Sequence, residues 1–242
     1  MRTAILSDIH ANYHALAATL AEVERERVDE LWCLGDTVGY GPRPNRCCDV
    51  ISERAALCLA GNHDLAVAGA LSMEEFNGDA AAAAQWTRQV LDPAARAFLE
   101  SLEPSAKRPG VELYHGSPID PVWDYVLSEA AAYLSFRLTS APVVLVGHSH
   151  VALALSWDGE TIGGGVAHEG AAIDLSERRW LLNPGSVGQP RGGDPRAAWL
   201  LIDDRSGRAT FRRTPYPIEQ TQAEIRERGL PEALAERLAH GV

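Results

Sequence analysis

This sequence predicts an α/β fold, and three observations predict it. Five short apolar runs in the first 150 residues each stop abruptly at a small or polar pair. Stretches of helical periodicity or propensity lie between most of them. Beyond residue 150 the texture changes to strand-like runs punctuated by Gly and Asp. Short apolar runs of this kind suit strands buried on both faces, and their alternation with helices predicts a parallel or mixed sheet. A length of 242 residues allows one large domain or two small ones. No internal repeat and no linker rich in Pro, Gly or Ser divides the chain. Residues 1–242 are therefore expected to form a single domain, a helix-flanked parallel half with an antiparallel half packed against it.

The elements follow in order. Ala4–Leu6 is a strand that ends at Ser7-Asp8. Leu16, Leu20 and Val23 stand four and three apart, which gives residues 11–26 one apolar helix face. Leu31–Leu34 is a strand ending at Gly35-Asp36; residues 44–56 open on Pro44 and repeat apolar positions at Cys47, Val50 and Ile51, a second helix. Leu57–Ala60 ends at Gly61-Asn62. Residues 72–91 are Ala-rich and helical in propensity, with Ala80–Ala84 read as a closely packed face. Asp92-Pro93 is a cap followed by a first-turn proline, opening a helix to about Leu102. Leu113-Tyr114 runs into His115-Gly116, Ser128-Glu129 opens a helix to about Leu138, and Val143–Val146 ends at Gly147-His148. Val151–Trp157, Ala171–Leu175, Arg179–Leu182, Ala197–Ile202 and Thr210–Arg213 are strand-like. Asp158-Gly159, Gly163-Gly164-Gly165 and Gly192-Gly193-Asp194 are read as the tight turns of antiparallel hairpins. Residues 217–239 close the chain with one or two amphipathic helices.

Composition narrows the function. Apolar residues are 46% and charged residues 23%, which supports a core and excludes disorder as the dominant state. No stretch approaches the ~20 apolar residues of a membrane span. The N-terminus turns acidic at Asp8, too soon for a secretory signal. A net charge of −11 repels polyanions, so no broad nucleic-acid-binding face is expected. A small anionic substrate remains possible where positive charge is concentrated in one cleft. Cys33, Cys47, Cys48 and Cys58 include no C-x-x-C pair and are read as reduced, buried thiols, which places the protein in the cytoplasm. Nothing in the sequence specifies an oligomeric state.

Ligands in open α/β sheets bind outside the carboxyl ends of strands. The five runs deliver Asp8 with His10, Asp36, Asn62 with His63 and Asp64, His115, and His148 with His150 to such ends. Parallel strands point their ends one way, so these sequence-distant fragments are expected to converge on one rim. Of eight histidines, His14, His168 and His240 are read as ordinary surface or core residues; the other five all fall at strand ends. Imidazole with carboxylate suits Mn, Fe, Zn, Co or Ni, and the closed Cys/His tetrahedron of structural zinc is absent. Two carboxylates, one amide and up to four imidazoles make seven candidate ligands, more than one tetrahedral ion needs. Two ions bridged by one carboxylate fit better, and would also draw phosphate to an acidic chain.

At this point the residues match a family. Asp8-Ile9-His10, Gly35-Asp36-Thr37-Val38-Gly39, Gly61-Asn62-His63-Asp64, His115-Gly116 and Gly147-His148-Ser149-His150 resemble, in order, the five motifs of calcineurin-like metallophosphoesterases. Asn183-Pro184-Gly185-Ser186 also resembles the bacterial branch of YfcE-type phosphodiesterases. The resemblance implies a four-layer α/β/β/α sandwich of two mixed sheets flanked by helices. It implies two divalent transition-metal ions, Mn foremost. Asp8, His10 and His150 would hold one and Asn62, His115 and His148 the other, with Asp36 bridging. A bridging hydroxide would attack phosphorus in line, with His63 as general acid or phosphate anchor. Asp64 is a candidate to orient His63. The protein-phosphatase branch has Asp-Arg-Gly where this chain has Gly39-Tyr40-Gly41, which disfavours a protein phosphatase. Arg191 and Arg43 are candidate phosphate contacts. Trp123 and Tyr125 are read first as packing and second as a base-stacking surface. The expected function is hydrolysis of a small phosphodiester or nucleotide. The alternatives are a phosphomonoesterase or protein phosphatase on the same site, a DNA-processing nuclease, or a non-catalytic scaffold.

Overall fold

The computed structural model describes residues 1–242, which form twelve strands and eight α-helices. The order is β1 (Arg2–Leu6), α1 (Tyr13–Arg25), β2 (Glu30–Cys33), α2 (Pro44–Arg54), β3 (Leu57–Cys58), α3 (Asn62–Ala68), α4 (Gly78–Val90), α5 (Pro93–Glu100), β4 (Ser105–Arg108), β5 (Val111–Tyr114), α6 (Glu129–Leu138), β6 (Val143–Leu145), β7 (Ala152–Trp157), β8 (Ile162–Val166), β9 (Ala172–Asp174), β10 (Arg179–Pro184), β11 (Ala197–Asp203), β12 (Arg208–Thr214), α7 (Ile218–Glu227) and α8 (Glu232–Glu236).

The strands form two six-stranded sheets, β3-β2-β1-β11-β12-β9 and β4-β5-β6-β10-β7-β8. Both are mixed. β1, β2 and β3 run parallel, and β11 joins β1 antiparallel. In the second sheet β5, β6 and β10 run parallel, and β7 joins β10 antiparallel. The expected division into a parallel and an antiparallel half is therefore corrected. Late strands β11 and β10 pair directly with early strands β1 and β6, because each early strand buries both faces and needs neighbours on both edges.

Period-two alternation builds the layers. On β1, Ala4 and Leu6 pack on the helix side with Leu16, Leu20, Ile51 and Trp199. Ile5 faces the other way, into an inter-sheet core with Trp32, Leu113, Leu145, Leu182 and Phe211. On the outer face of the second sheet, Val144, Val146 and Leu181 pack against Phe136 of α6. The result is helices, sheet, sheet, helices. Each large apolar side chain buried here contributes about 1.5–3 kcal/mol over an exposed one.

Two local readings also change. Gly163-Gly164-Gly165 is not a turn but the middle of β8, paired along β7. A Cβ on Gly164 would lie 2.0 Å from the Ala154 carbonyl oxygen, so only glycine lets the two backbones approach there. Residues 72–91 are a 3-10 turn, Met73–Glu75, followed by α4. Asn62–Asp64 form the first turn of α3.

Candidate metal centre

The carboxyl ends of β1, β2, β3, β5 and β6, contributed by two sheets, open onto one buried cluster. Asp8 and His10 sit in the turn after β1, which is zipped to the turn after β2 by Asp8 N–H on the Gly35 carbonyl at 3.0 Å and His10 N–H on the Asp36 carbonyl at 2.9 Å. Gly147-His148-Ser149-His150 follows β6, and the His148 N–H donates to Asp8 Oδ2 at 3.1 Å. The Asn183–Ser186 segment supports both turns. Asn183 Nδ2 donates to the Gly147 carbonyl at 2.6 Å, and Ser186 Oγ donates to the Asp8 carbonyl at 2.7 Å.

The backbone is strained where the candidate ligands stand. Asp8, His10, Asp36, His148 and His150 all have left-handed φ between +50° and +61°. Such conformations cost on the order of 1–3 kcal/mol each in a non-glycine residue and gather at functional sites.

The decisive geometry is a convergence of acceptors. His10 Nδ1 lies 3.1 Å from the Val38 carbonyl oxygen and His150 Nδ1 lies 2.7 Å from that of Gln189. Those contacts require a proton on each Nδ1, which leaves a lone pair on each Nε2. The two Nε2 atoms nevertheless face each other at 2.9 Å. Asp8 Oδ1 stands 3.3 Å from His150 Nε2 and 3.8 Å from His10 Nε2, and Asp36 Oδ2 is 3.7 Å from His10 Nε2. The same pattern recurs alongside. His115 gives its Nδ1 proton to the Leu34 carbonyl at 2.8 Å and aims Nε2 at Asn62 Oδ1, 3.2 Å away, and at Asp36 Oδ2, 3.6 Å away. His148 Nε2 is buried without a partner, as is Asp8 Oδ1. Asp8, His10, Asp36 and His150 form one group that could hold a metal ion, and Asp36, His115 and His148 a second, with Asp36 common to both. Buried lone pairs turned on one another without protons between them fit a cation.

The charges agree. Burial pushes the Asp36 carboxyl well above its ordinary range, and Asp64 and Asp8 nearby add to this. Burial pushes Asp8 the same way, but His150, His115 and His10 outweigh it and hold the group low. Burial lowers His10, His63, His115 and His150, and takes His148 down to about 3. The imidazoles are thus neutral near pH 7, the form that ligates metal.

His63 lies at the front of the cluster, on α3. Asp64 does not orient it: its carboxylate accepts the N–H groups of Thr37, Val38 and Gly61 at 3.2, 3.0 and 3.0 Å and caps the helix. Rings hold His63 instead. Tyr40 lies 4.4 Å away between centroids, Phe76 4.8 Å and His10 5.0 Å. A Cβ on Gly39 would meet His63 Nδ1 at 2.4 Å. Tyr40, the substitute for the Arg of Asp-Arg-Gly, has φ +57°. Its role was not legible in the sequence beyond that mismatch.

In front of the cluster is a cavity of about 110 Å³, walled by Tyr40, His63, Phe76, Trp123, Tyr125 and Arg191 among others. Tyr125 stacks on His148 at 4.0 Å and 13°. Arg191 is therefore brought to the site. Arg43 is not: as the residue before α2 it is directed across to α7, where its Nε donates to Glu224 Oε2 at 2.6 Å. His14 joins the same carboxylate at 2.9 Å.

A family model for the calcineurin-like phosphoesterase superfamily domain matches residues 1–205. The chain belongs to that superfamily. It is 35% identical over 243 aligned positions to the uncharacterized protein MJ0912 of Methanocaldococcus jannaschii, covering 98% of this chain and 97% of that protein. A metallophosphoesterase from Sphaerobacter thermophilus matches with TM-score 0.92 and 42% identity, over 100% of this chain and 99% of that one. The hypothetical protein PH1004 from Pyrococcus horikoshii OT3 shares the fold, with TM-score 0.82, 19% identity and coverage of 100% and 98%. The finer likeness to the YfcE branch rests on the sequence motif Asn183–Ser186. No helix is long and apolar enough to cross a membrane.

Proposed function

We propose that this chain, working as one domain over residues 1–242, is a phosphoesterase that uses two divalent transition-metal ions, Mn foremost, to hydrolyse a small phosphodiester or nucleotide. One observation carries the reading: the buried acceptor atoms of two ligand groups face one another and share Asp36. Asp8, His10 and His150 would hold one ion, and Asn62, His115 and His148 the other, with Asp36 serving both. Bound there, the ions supply positive charge to phosphate oxygens and acidify water.

The chain's own groups do the rest. The cavity of about 110 Å³ over the cluster has room for a phosphoryl group. Arg191 reaches a phosphate oxygen from the cavity wall. His63 lines the cavity, and with its Nδ1 buried without a partner against Gly39, Nε2 is the nitrogen we assign to the substrate. Burial keeps His63 neutral in the free protein. The negative charge of an incoming phosphate raises its pKa, so it gains a proton and can pass it to the leaving oxygen. Buried Cys33, Cys47 and Cys48 and half-buried Cys58 are unpaired thiols, which suits a cytoplasmic setting.

The test is hydrolysis of bis-p-nitrophenyl phosphate by the purified chain. Activity should vanish with chelator and return with Mn. Hydrolysis that is indifferent to chelator, or absent with every metal tried, would overturn the reading.

A further inference from the structure

The family match ends at residue 205, so α7, α8 and the C-terminal turn lie outside it. These residues nevertheless bond to the loops that carry the site. Asn12, in the turn after β1, accepts from Thr221 Oγ1 of α7 at 2.9 Å and donates to the Gly188 carbonyl at 2.9 Å. The N–H groups of Gly192 and Gly193 both donate to the Gly241 carbonyl, at 2.9 and 3.0 Å. The loop that carries Arg191 is thereby fastened to the turn that carries Arg237.

Two guanidinium groups consequently meet on one neutral acceptor. Arg191 Nη2 donates to Gln189 Oε1 at 3.1 Å, and Arg237 Nη1 to the same oxygen at 3.4 Å. Gln189 is buried, and its main-chain carbonyl takes the Nδ1 proton of His150, so this one residue links the pair to a candidate metal ligand. On a chain of net charge −11, neither guanidinium is in an ion pair. Arg191 lines the small cavity over the cluster, whereas Arg237 borders an outer groove with Glu236 and His240. Arg237 does not line the cavity over the cluster, so an anion bound by Arg237 stands outside that cavity.

We propose that Arg191 and Arg237 form a two-guanidinium anion subsite beside the metal cluster, and that the substrate carries a second phosphate or carboxylate in addition to the ester that is cleaved. This rests on the phosphoesterase reading for the location of the first phosphate. Arg191 spans the two positions, and Arg237 selects for the second group.

The probes are non-hydrolysable and matched in spacer: propylphosphonate with one anionic group, 3-phosphonopropionate with an added carboxylate, and propane-1,3-bisphosphonate with an added phosphonate. Binding to the full, Mn-loaded chain is read by titration calorimetry. At least one doubly anionic probe should bind about tenfold or more tighter than propylphosphonate. The better of the two identifies the second group. Arg237→Gln should abolish that preference while leaving propylphosphonate binding unchanged. Arg228→Gln, which removes a charge from an exposed position on α7's C-terminal end, should leave the preference intact. A wild-type chain without the preference, or a preference that survives Arg237→Gln, overturns the subsite. Hydrolysis of bis-p-nitrophenyl phosphate by the same preparations is scored separately. Its absence would refute the phosphoesterase reading, while the calorimetric preference decides the subsite.

Discussion

His10 and His150 present two bare nitrogens to each other at 2.9 Å, each ring having committed its proton to a carbonyl. In a metal-free protein that contact is repulsive, and Asp36 beside it links the pair to His115. Asp36→Ala should therefore lose both ions, measured as Mn bound per chain after gel filtration. His63→Ala should retain metal yet slow turnover by about 10²–10⁴. Equal loss of metal in both variants would contradict the separate roles. Tyr40→Ala removes the ring beside His63 and should lower kcat at nearly constant metal content, with Tyr40→Phe restoring most of it; a variant in which Phe fails to rescue would show that the hydroxyl, not the ring, is what matters. Gly61→Ala places a Cβ 2.0 Å from Asp36 Oδ1 and should cost metal binding. The residues that cluster at the candidate centre were legible in the sequence because their chemistry lies in the residue types and each ends an apolar run. Tyr40 was not, because ring contact between positions 40 and 63 leaves no periodic trace. Arg43 showed the converse: a charge near a motif was claimed by Glu224, a partner 181 residues away.

At the scale of elements, two buried carboxylates fix local structure. Asp64 caps α3 and so positions Asn62 and His63; Asp64→Ala leaves three N–H groups without their acceptor and should destabilise the fold by about 1–3 kcal/mol or more in denaturant titration. Glu112 of β5 holds the connection into β6. Burial pushes its carboxyl up, but the N–H groups of Ser140 and Ala141, with Lys107 and Tyr114, outweigh this and bring it to about 2. Because the folded value lies below the ordinary 4.5, its stabilisation is complete above pH 4.5 and is lost as pH falls through about 2. Glu112→Gln should flatten the acid limb of stability in that window; an unchanged limb would contradict the assignment. Strands buried on both faces were readable as apolar runs. β4, with sequence Ser-Ala-Lys-Arg and little burial, had no such signal. Seven-residue α3 depends on a cap that serves the neighbouring loop, and Gly-rich β8 resembled a turn because its glycines answer a tertiary approach.

Across the whole molecule, two mixed sheets bring five strand ends to one place, so the fold is built around one cluster of buried acceptor atoms. Metal that binds only the folded chain must stabilise it. At about 100 times its dissociation constant, Mn should raise Tm by about 5–10 °C over chelated protein, and chelator should reverse the shift. The convergence was legible in the sequence, but the sharing of work between two sheets was not, because pairing of β11 with β1 and of β10 with β6 joins segments with no common pattern. The most direct test of the central claim is an anomalous-diffraction map of crystals grown with Mn. The account predicts two peaks, one among Asp8, His10 and His150 and one among Asn62, His115 and His148, with Asp36 between them touching both. A single peak, or two peaks with Asp36 bound to neither, would contradict it.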